Sequence, residues 1–248
     1  MKLYTFSSGS KGNAALICEG GTYILIDAGI SLKRIKDALL NTVCVSPGQL
    51  AAVLITHEHS DHIAAVPMLH KYFPAVPVYA TGGTSRGLYS PCLDVTPGVP
   101  FEIGTLRVSA FETPHDTAQS CGYRVSDGYR SFSLLTDLGH ITSGVRNAVL
   151  GSDTVLLECN HDLDMLWSGP YPYYLQTRVA GDYGHLNNND AANFALELAQ
   201  SGTQRLILGH LSQENNTPER ALYAVQSKLN GGINVSCAGL TVSEPIEI

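Results

Sequence analysis

The sequence reads as a mixed α/β protein, one αββα domain in which two sheets face each other with helices outside. Three observations point there. Short apolar runs rich in Val, Ile and Leu recur along the chain, each stopped by polar or turn-forming residues, the mark of short strands. After an opening made of strands, helix and strand patterns alternate, and the theme then repeats. Isolated His and Asp residues stand just past several apolar runs, where open α/β sheets place their sites.

Taken in order, the first strands are Lys2–Phe6 and Ala14–Glu19, joined by Ser7-Ser8-Gly9-Ser10-Lys11-Gly12-Asn13. That loop suits either an anion-binding nest, with Ser10 and Asn13 as candidate substrate contacts, or a plain turn. Thr22–Ile26 is a strand ending in Asp27-Ala28-Gly29, an acid placed to orient neighbouring ligands. Ser31 is the N-cap of a helix over Leu32–Leu40, with Leu32, Ile35 and Leu39 on one face. The run Ala51–Ile55 is a buried strand that leads straight into Thr56-His57-Glu58-His59-Ser60-Asp61-His62. Helical spacing follows through Ile63, Val66, Leu69 and Tyr72. Val76–Ala80 is a strand, Thr81–Thr84 a turn and Ser90–Pro100 a proline-rich loop.

Leu106–Phe111 is a strand ending ahead of His115. Cys121–Val125 and Ser131–Leu135 make a hairpin about Asp127-Gly128 and end at Asp137. Thr154–Leu157 leads into Glu158-Cys159-Asn160-His161-Asp162. Residues 163–184 lack clean periodicity and read as an excursion over the site. Its Trp167, Tyr171, Tyr173 and Tyr174 suit stacking on bases or packing of the loop on its own scaffold. A helix capped by Asn189 or Asp190 runs to about Gln200, and Arg205–Leu208 is a strand ending at His210. Thr217-Pro218 opens the last helix, and strands at Ile233–Cys237 and Leu240–Val242 finish the chain. No linker divides residues 1–248, which are expected to form a single domain.

Bulk properties narrow the class. A hydrophobic content of 44% with 15% charged residues supplies an ample core for a globular protein. The amino terminus lacks a signal-peptide pattern and no run approaches membrane-spanning length, so a cytoplasmic protein with no membrane partner is expected. Six cysteines without a C-x-x-C pair suit reduced thiols. The formal charge of −7 argues against a strongly basic nucleic-acid platform. It leaves a phosphodiester substrate open, because two divalent cations would concentrate positive charge at the site.

The chemistry gathers at the loop after the Ala51–Ile55 strand. His57, His59, Asp61 and His62, with the strand-end His115, Asp137 and His210, offer seven donors for two metal ions. Mixed imidazole and carboxylate donors suit zinc or manganese, with iron also accommodated. Ions about 3.5–4 Å apart can lower the pKa of a bound water to about 7, giving a nucleophile at neutral pH, with Asp61 among the catalytic residues. The expected partition is His57, His59 and His115 on one ion, Asp61, His62 and His210 on the other, and Asp137 bridging.

This set resembles the metallo-β-lactamase fold superfamily of metallohydrolases, over nearly the whole chain and through the specific motif T-H-E-H-S-D-H. A four-layer αββα sandwich and a binuclear site are what the resemblance implies; periodicity alone does not establish them. The sequence is most similar to the YycJ (WalJ) group of exonuclease-like proteins, through Ser7–Asn13, Leu157–Asp162, Gly184-His185-Leu186-Asn187-Asn188 and His210-Leu211-Ser212-Gln213-Glu214-Asn215-Asn216. Asn187 stands where that group usually has Ser. The resemblance implies a phosphodiesterase on nucleic acid, a 5′-to-3′ DNA exonuclease by expectation. A small-molecule hydrolase for a cyclic phosphodiester, thioester or lactone is the alternative. By similarity to tRNA 3′-processing nucleases, Glu158 would orient His185, which would contact the scissile phosphate or donate a proton; the tRNA-clamping arm of those enzymes has no counterpart here. Glu158 also suits a role behind a metal-binding His. Asn160, His161, Ser212 and Asn215 are further candidate substrate contacts.

Overall fold

The computed structural model describes residues 1–88, 90–229 and 231–248. Strands β1 (Lys2–Ser7), β2 (Ala14–Glu19), β3 (Thr22–Ile26), β4 (Ala52–Leu54), β5 (Val78–Thr81) and β6 (Leu93–Val95) build a first sheet. A second holds β7 (Phe101–Ile103), β8 (Leu106–Glu112), β9 (Cys121–Ser126), β10 (Ser131–Leu135), β11 (Thr154–Glu158), β12 (Arg205–Gly209) and β13 (Asn234–Cys237). The short β14 (Ile246–Glu247) returns to pair with β1 at the edge of the first sheet. Helices are α1 (Leu32–Ala38), α2 (Ser60–Ile63), α3 (Val66–Tyr72), α4 (Gly82–Ser85), α5 (Ser143–Val149), α6 (Leu163–Ser168), α7 (Tyr173–Val179), α8 (Asn188–Gln200) and α9 (Pro218–Leu229). No helix among the described residues is long and apolar enough to cross a membrane.

Each sheet begins as an antiparallel meander and continues as parallel strands: β1–β3 then β3–β6, and β7–β10 then β10–β13. Both faces of both sheets are covered, and the two-residue side-chain period sorts the core into layers. Leu3, Ile24, Ile26 and Leu54 meet Val108, Tyr123, Phe132 and Leu156 between the sheets. Their strand neighbours Tyr4, Leu25 and Val53 face outward onto Ile35, Val66 and Leu69 of the helices. Val155 and Leu157 do the same on the other side, against Val145, Phe194 and Val225. Parallel direction sends the carboxyl ends of β3, β4, β10, β11 and β12 to one edge, where Glu158 ends β11 and Asp27, His57, Asp137 and His210 follow their strands.

Several elements differ from the sequence reading. The Thr81–Thr84 turn is the first part of α4, whose start is capped by the Thr81 side chain accepting from Thr84 N. The Ser90–Pro100 loop contains β6, a three-residue edge strand too short for an alternation to register. Asn187, not Asn189 or Asp190, caps α8: its Oδ1 accepts from both Asn189 N and Asp190 N. Leu240–Val242 is not a strand; the Leu240 carbonyl accepts from Arg34 Nη2, and pairing passes to β14. Residues 163–184 hold α6 and α7, of six and seven residues, too brief to display a helical period.

Candidate metal centre

Several of the side chains at the centre stand in the turns that follow strands, while Asp61 and His62 of the metal loop open the short α2. Asp27, Asp137 and His210 each sit one or two residues past a strand end with left-handed backbone (φ 60°, 59° and 55°). Such conformations cost non-glycine residues about 1–3 kcal/mol each and concentrate at functional sites. The metal loop itself is stitched to two other turns: Asn13 N donates to Asp61 O, and Ala28 N to His62 O, both at 2.8 Å. Gly29 allows that closeness, since a Cβ there would stand 1.5 Å from the Asp61 carbonyl oxygen.

His57, His59 and His115 converge, with each ligand nitrogen within 4.8 Å of the others. Asp61, His62 and His210 form a second group by the same measure, and His57, His62 and Asp137 join the two. Asp137 lies 3.3 Å from His62 Nε2 and 3.7 Å from His115 Nε2, between the groups.

The far nitrogens are spoken for. His62 Nδ1 meets Asp27 Oδ2 at 2.8 Å, His210 Nδ1 meets Glu158 Oε1 at 2.7 Å, His115 Nδ1 meets Gly184 O at 3.1 Å, and His57 Nδ1 meets Thr56 Oγ1 at 3.1 Å. Each of these oxygens favours a proton on Nδ1 and turns Nε2 inward, the arrangement that metal-binding histidines adopt. His57 Nε2, His115 Nε2, His210 Nε2 and Asp137 Oδ2 are buried with no hydrogen-bond partner. An unpaired buried polar atom costs about 1–3 kcal/mol, so four facing one another are costly unless cations join them. The donor set fits divalent metal ions.

Charge is arranged in opposite ways across the centre. Burial, reinforced by the neighbouring His62, pushes His57 well below the ordinary imidazole value, and burial likewise lowers His115. At His62 burial is outweighed by the carboxylates of Asp27 and Asp137, which raise it to about 10. His210 is also raised, against burial, by Asp137 and by the carboxylates of Asp61 and Glu158. Asp61 and Asp137 stay well below the usual carboxylate range because the surrounding imidazoles outweigh their burial.

Glu158 is fully buried and uses both oxygens: Oε1 takes His185 Nδ1 at 2.9 Å and His210 Nδ1 at 2.7 Å, while Oε2 takes Leu138 N and Leu186 N. Those hydrogen bonds and imidazole charges overcome burial and hold it at about 2. One carboxylate oxygen thus meets both His210 and His185, geometry compatible with either reading of this residue.

A cleft of about 330 Å³ opens beside the centre, lined by Asp61, Asp137, His185 and His210 and by Ser10, Asn160 and Ser212. Two expected substrate contacts lie elsewhere. His161, three residues past β11 and bridged to Asn187, is wholly buried and lines no part of the cleft. Asn13 faces the metal loop instead, its Oδ1 accepting from Gly9 N and its Nδ2 lying 3.0 Å from His62 Nε2. Asn215 borders the cleft, but both amide atoms are sealed from solvent and Oδ1 sits beneath Gly169. In the Ser7–Asn13 loop the N–H groups of Ser8, Gly9, Gly12 and Asn13 go to Gly239 O, Asn13 Oδ1, Gly9 O and Asp61 O, which stitches the loop to its neighbours.

Residues that the sequence reading passed over also matter. Thr56 gives both its N–H and its hydroxyl to Asp27 while facing His57. Asp116 lies 3.5 Å from His115 Nε2 and accepts from Arg178 Nε at 2.7 Å. Glu58, inside the motif, points away to Ala118 N and Thr84 Oγ1.

Facing sheets covered by helices, with a His/Asp centre along one edge, define a class of hydrolases. Residues 22–211 match the beta-lactamase superfamily domain, and the chain belongs to that superfamily. It is 34% identical over 238 residues to exodeoxyribonuclease WalJ of Streptococcus pneumoniae, covering 92% of this chain and 88% of that protein. It is 30% identical over 250 residues to exodeoxyribonuclease YycJ of Bacillus anthracis, covering 98% and 92%. Among solved structures, the metallo-beta-lactamase fold protein YhfI of Bacillus subtilis superposes with a TM-score of 0.73 at 19% identity, over 98% of this chain and 99% of that one. The short form of human tRNase Z does so at 0.67 and 16% identity, over the whole of both chains. These two likenesses concern the fold.

Proposed function

We propose that the protein is a metal-dependent phosphodiesterase acting on nucleic acid, a DNA exonuclease that works 5′ to 3′. The observation that carries this reading is the Glu158–His185 pair at the rim of the centre. With Nδ1 committed to Glu158 at 2.9 Å, Nε2 is the nitrogen His185 has left for a substrate oxygen. A proton donor beside a P–O leaving group accelerates cleavage by about 10²–10⁴. A protein that only stores metal has no need of one. The names of the Streptococcus and Bacillus relatives lend the reading its DNA substrate.

We assign His57, His59 and His115 to one divalent ion and Asp61, His62 and His210 to the other, with Asp137 between them. Zinc or manganese suits the set. When bound, such a pair activates water and stabilises charge on a phosphoryl oxygen. Asp27 and Glu158 hold the rings of His62 and His210 in place, and Asn160 Nδ2 fixes the His210 carbonyl at 2.9 Å. Ser10 and Ser212 offer hydroxyls to phosphate along the cleft. Six unpaired cysteines accord with a cytoplasmic setting.

Metal-loaded protein incubated with 5′-phosphorylated duplex DNA, bis-p-nitrophenyl phosphate and a thioester tests the assignment. Hydrolysis of the DNA and of the diester is expected. Turnover of the thioester alone discards it.

A further inference from the structure

One wall of the cleft comes from the α6–α7 arm. Leu175 and Val179 stand four residues apart on α7 with Arg178 beside them, so one helix face turns toward the centre, and Tyr171 precedes it at the mouth. Arg178 is the one Arg or Lys among the described lining residues. Asp116 pins it through Nε, and Nη1 and Nη2 make no hydrogen bond to described residues, which leaves a donor pair near the metal groups. Packing of the arm on its own scaffold does not account for its aromatics: Trp167 is 48% exposed, Tyr173 75% and Tyr174 73%. The arm is held by the buried Leu166 of α6 and by polar bonds, Gln176 Nε2 to Leu166 O and His185 N to Val179 O. Gly184 permits the second, as a Cβ there would stand 2.2 Å from Arg178 O.

We propose that this cleft is a subsite for one unpaired terminal nucleotide, with Tyr171 as the platform for its base and Arg178 as the contact for its phosphate. The proposal rests on the nucleic-acid reading above and deepens it. A volume of about 330 Å³ lies at the small end of ligand sites, roughly 300–1,000 Å³. It has room for a single nucleotide. A phosphate alone would need no aromatic and aliphatic wall, and an apolar ligand would need no guanidinium. Base, sugar and phosphate use all three. The strand end must then separate from its complement before cleavage, and Tyr173, Tyr174 and Trp167 present further stacking faces outside the cleft.

The test compares kcat/KM of the metal-loaded, full-length protein on two 5′-phosphorylated single-stranded DNA oligonucleotides. One carries a base on its 5′-terminal residue and the other is abasic there; bis-p-nitrophenyl phosphate serves as a control diester. Wild type is expected to prefer the base-bearing strand by roughly 5- to 150-fold, the span of base–aromatic stacking. Tyr171→Ala should erase that preference, mostly through KM, and Tyr171→Phe should restore it. Arg178→Ala should raise KM for both strands and Arg178→Lys should recover part of the loss. A preference that survives Tyr171→Ala, or that wild type lacks, overturns the subsite while leaving the nuclease assignment standing. Hydrolysis of the control diester with neither strand cleaved overturns both.

Discussion

Two halves of one centre are built from the same residue type and backed differently. Behind His57 and His115 stand a hydroxyl and a peptide carbonyl, Thr56 Oγ1 and Gly184 O. Behind His62 and His210 stand buried carboxylates, Asp27 and Glu158. Burial keeps the first pair below the ordinary imidazole value, whereas the second is lifted above it against burial, His62 by Asp27 and Asp137 and His210 by Asp137, Asp61 and Glu158. A carboxylate behind a ligand histidine raises its basicity, and its loss typically costs 10–100-fold in metal affinity. Under the proposed assignment the two halves would be unequal, the first taking a cation without losing protons and the second binding more firmly once its protons had left.

The largest expected effect breaks both halves together. Asp137→Ala should reduce activity to background and lower the metal content of purified protein, read by elemental analysis; His57→Ala should do the same from the first half alone. Unchanged metal content in Asp137→Ala would show that the halves do not share that carboxylate.

His185→Ala separates the two duties of Glu158. Metal should stay bound while phosphodiester cleavage slows by about 10²–10⁴-fold. A lost metal complement would mean that His185 is a ligand and not a proton donor.

Next come the backing groups. Asp27→Asn should weaken metal binding by about 10–100-fold in the second half, whereas removing the hydroxyl behind His57, in Thr56→Val, should cost less. Equal losses, measured by competition with a chromogenic chelator, would erase the contrast between the halves.

The smallest effect is a count of protons. His62 is raised to about 10 by Asp27 and Asp137 and His210 is raised likewise, while His57 and His115 are lowered, so protons compete with a cation chiefly in the second half. Binding to the second half should therefore release protons and weaken more steeply as pH falls, which calorimetry in buffers of different ionisation enthalpy reads directly. In chelated protein the raised His62 contributes stability that is full below its unfolded value of 6.5 and is lost as pH rises through about 10. His57 and His115, being lowered, do the opposite and withdraw stability as pH falls below that value.

Much of this was readable from the residues because the signals are local. Asp137 and His210 follow apolar runs, and a strand end fixes where such a residue lies; Asp27 could be placed for the same reason. What depends on side-chain direction could not be read. His161 and Asn160 are neighbours in sequence, yet one ring is swallowed by the protein while the other residue borders the cleft. The Thr56–Asp27–His62 network joins residues 35 positions apart, and no spacing rule anticipates it. Brief elements such as β6 and α7 escaped because they are shorter than the patterns that would reveal them.

Anomalous scattering from crystals of the metal-loaded protein, collected at the absorption edge of the bound element, tests the paired-ion centre most directly. Two peaks about 3.5–4 Å apart are expected, one among His57, His59 and His115 and the other among Asp61, His62 and His210. A single peak, or peaks away from these side chains, would contradict it.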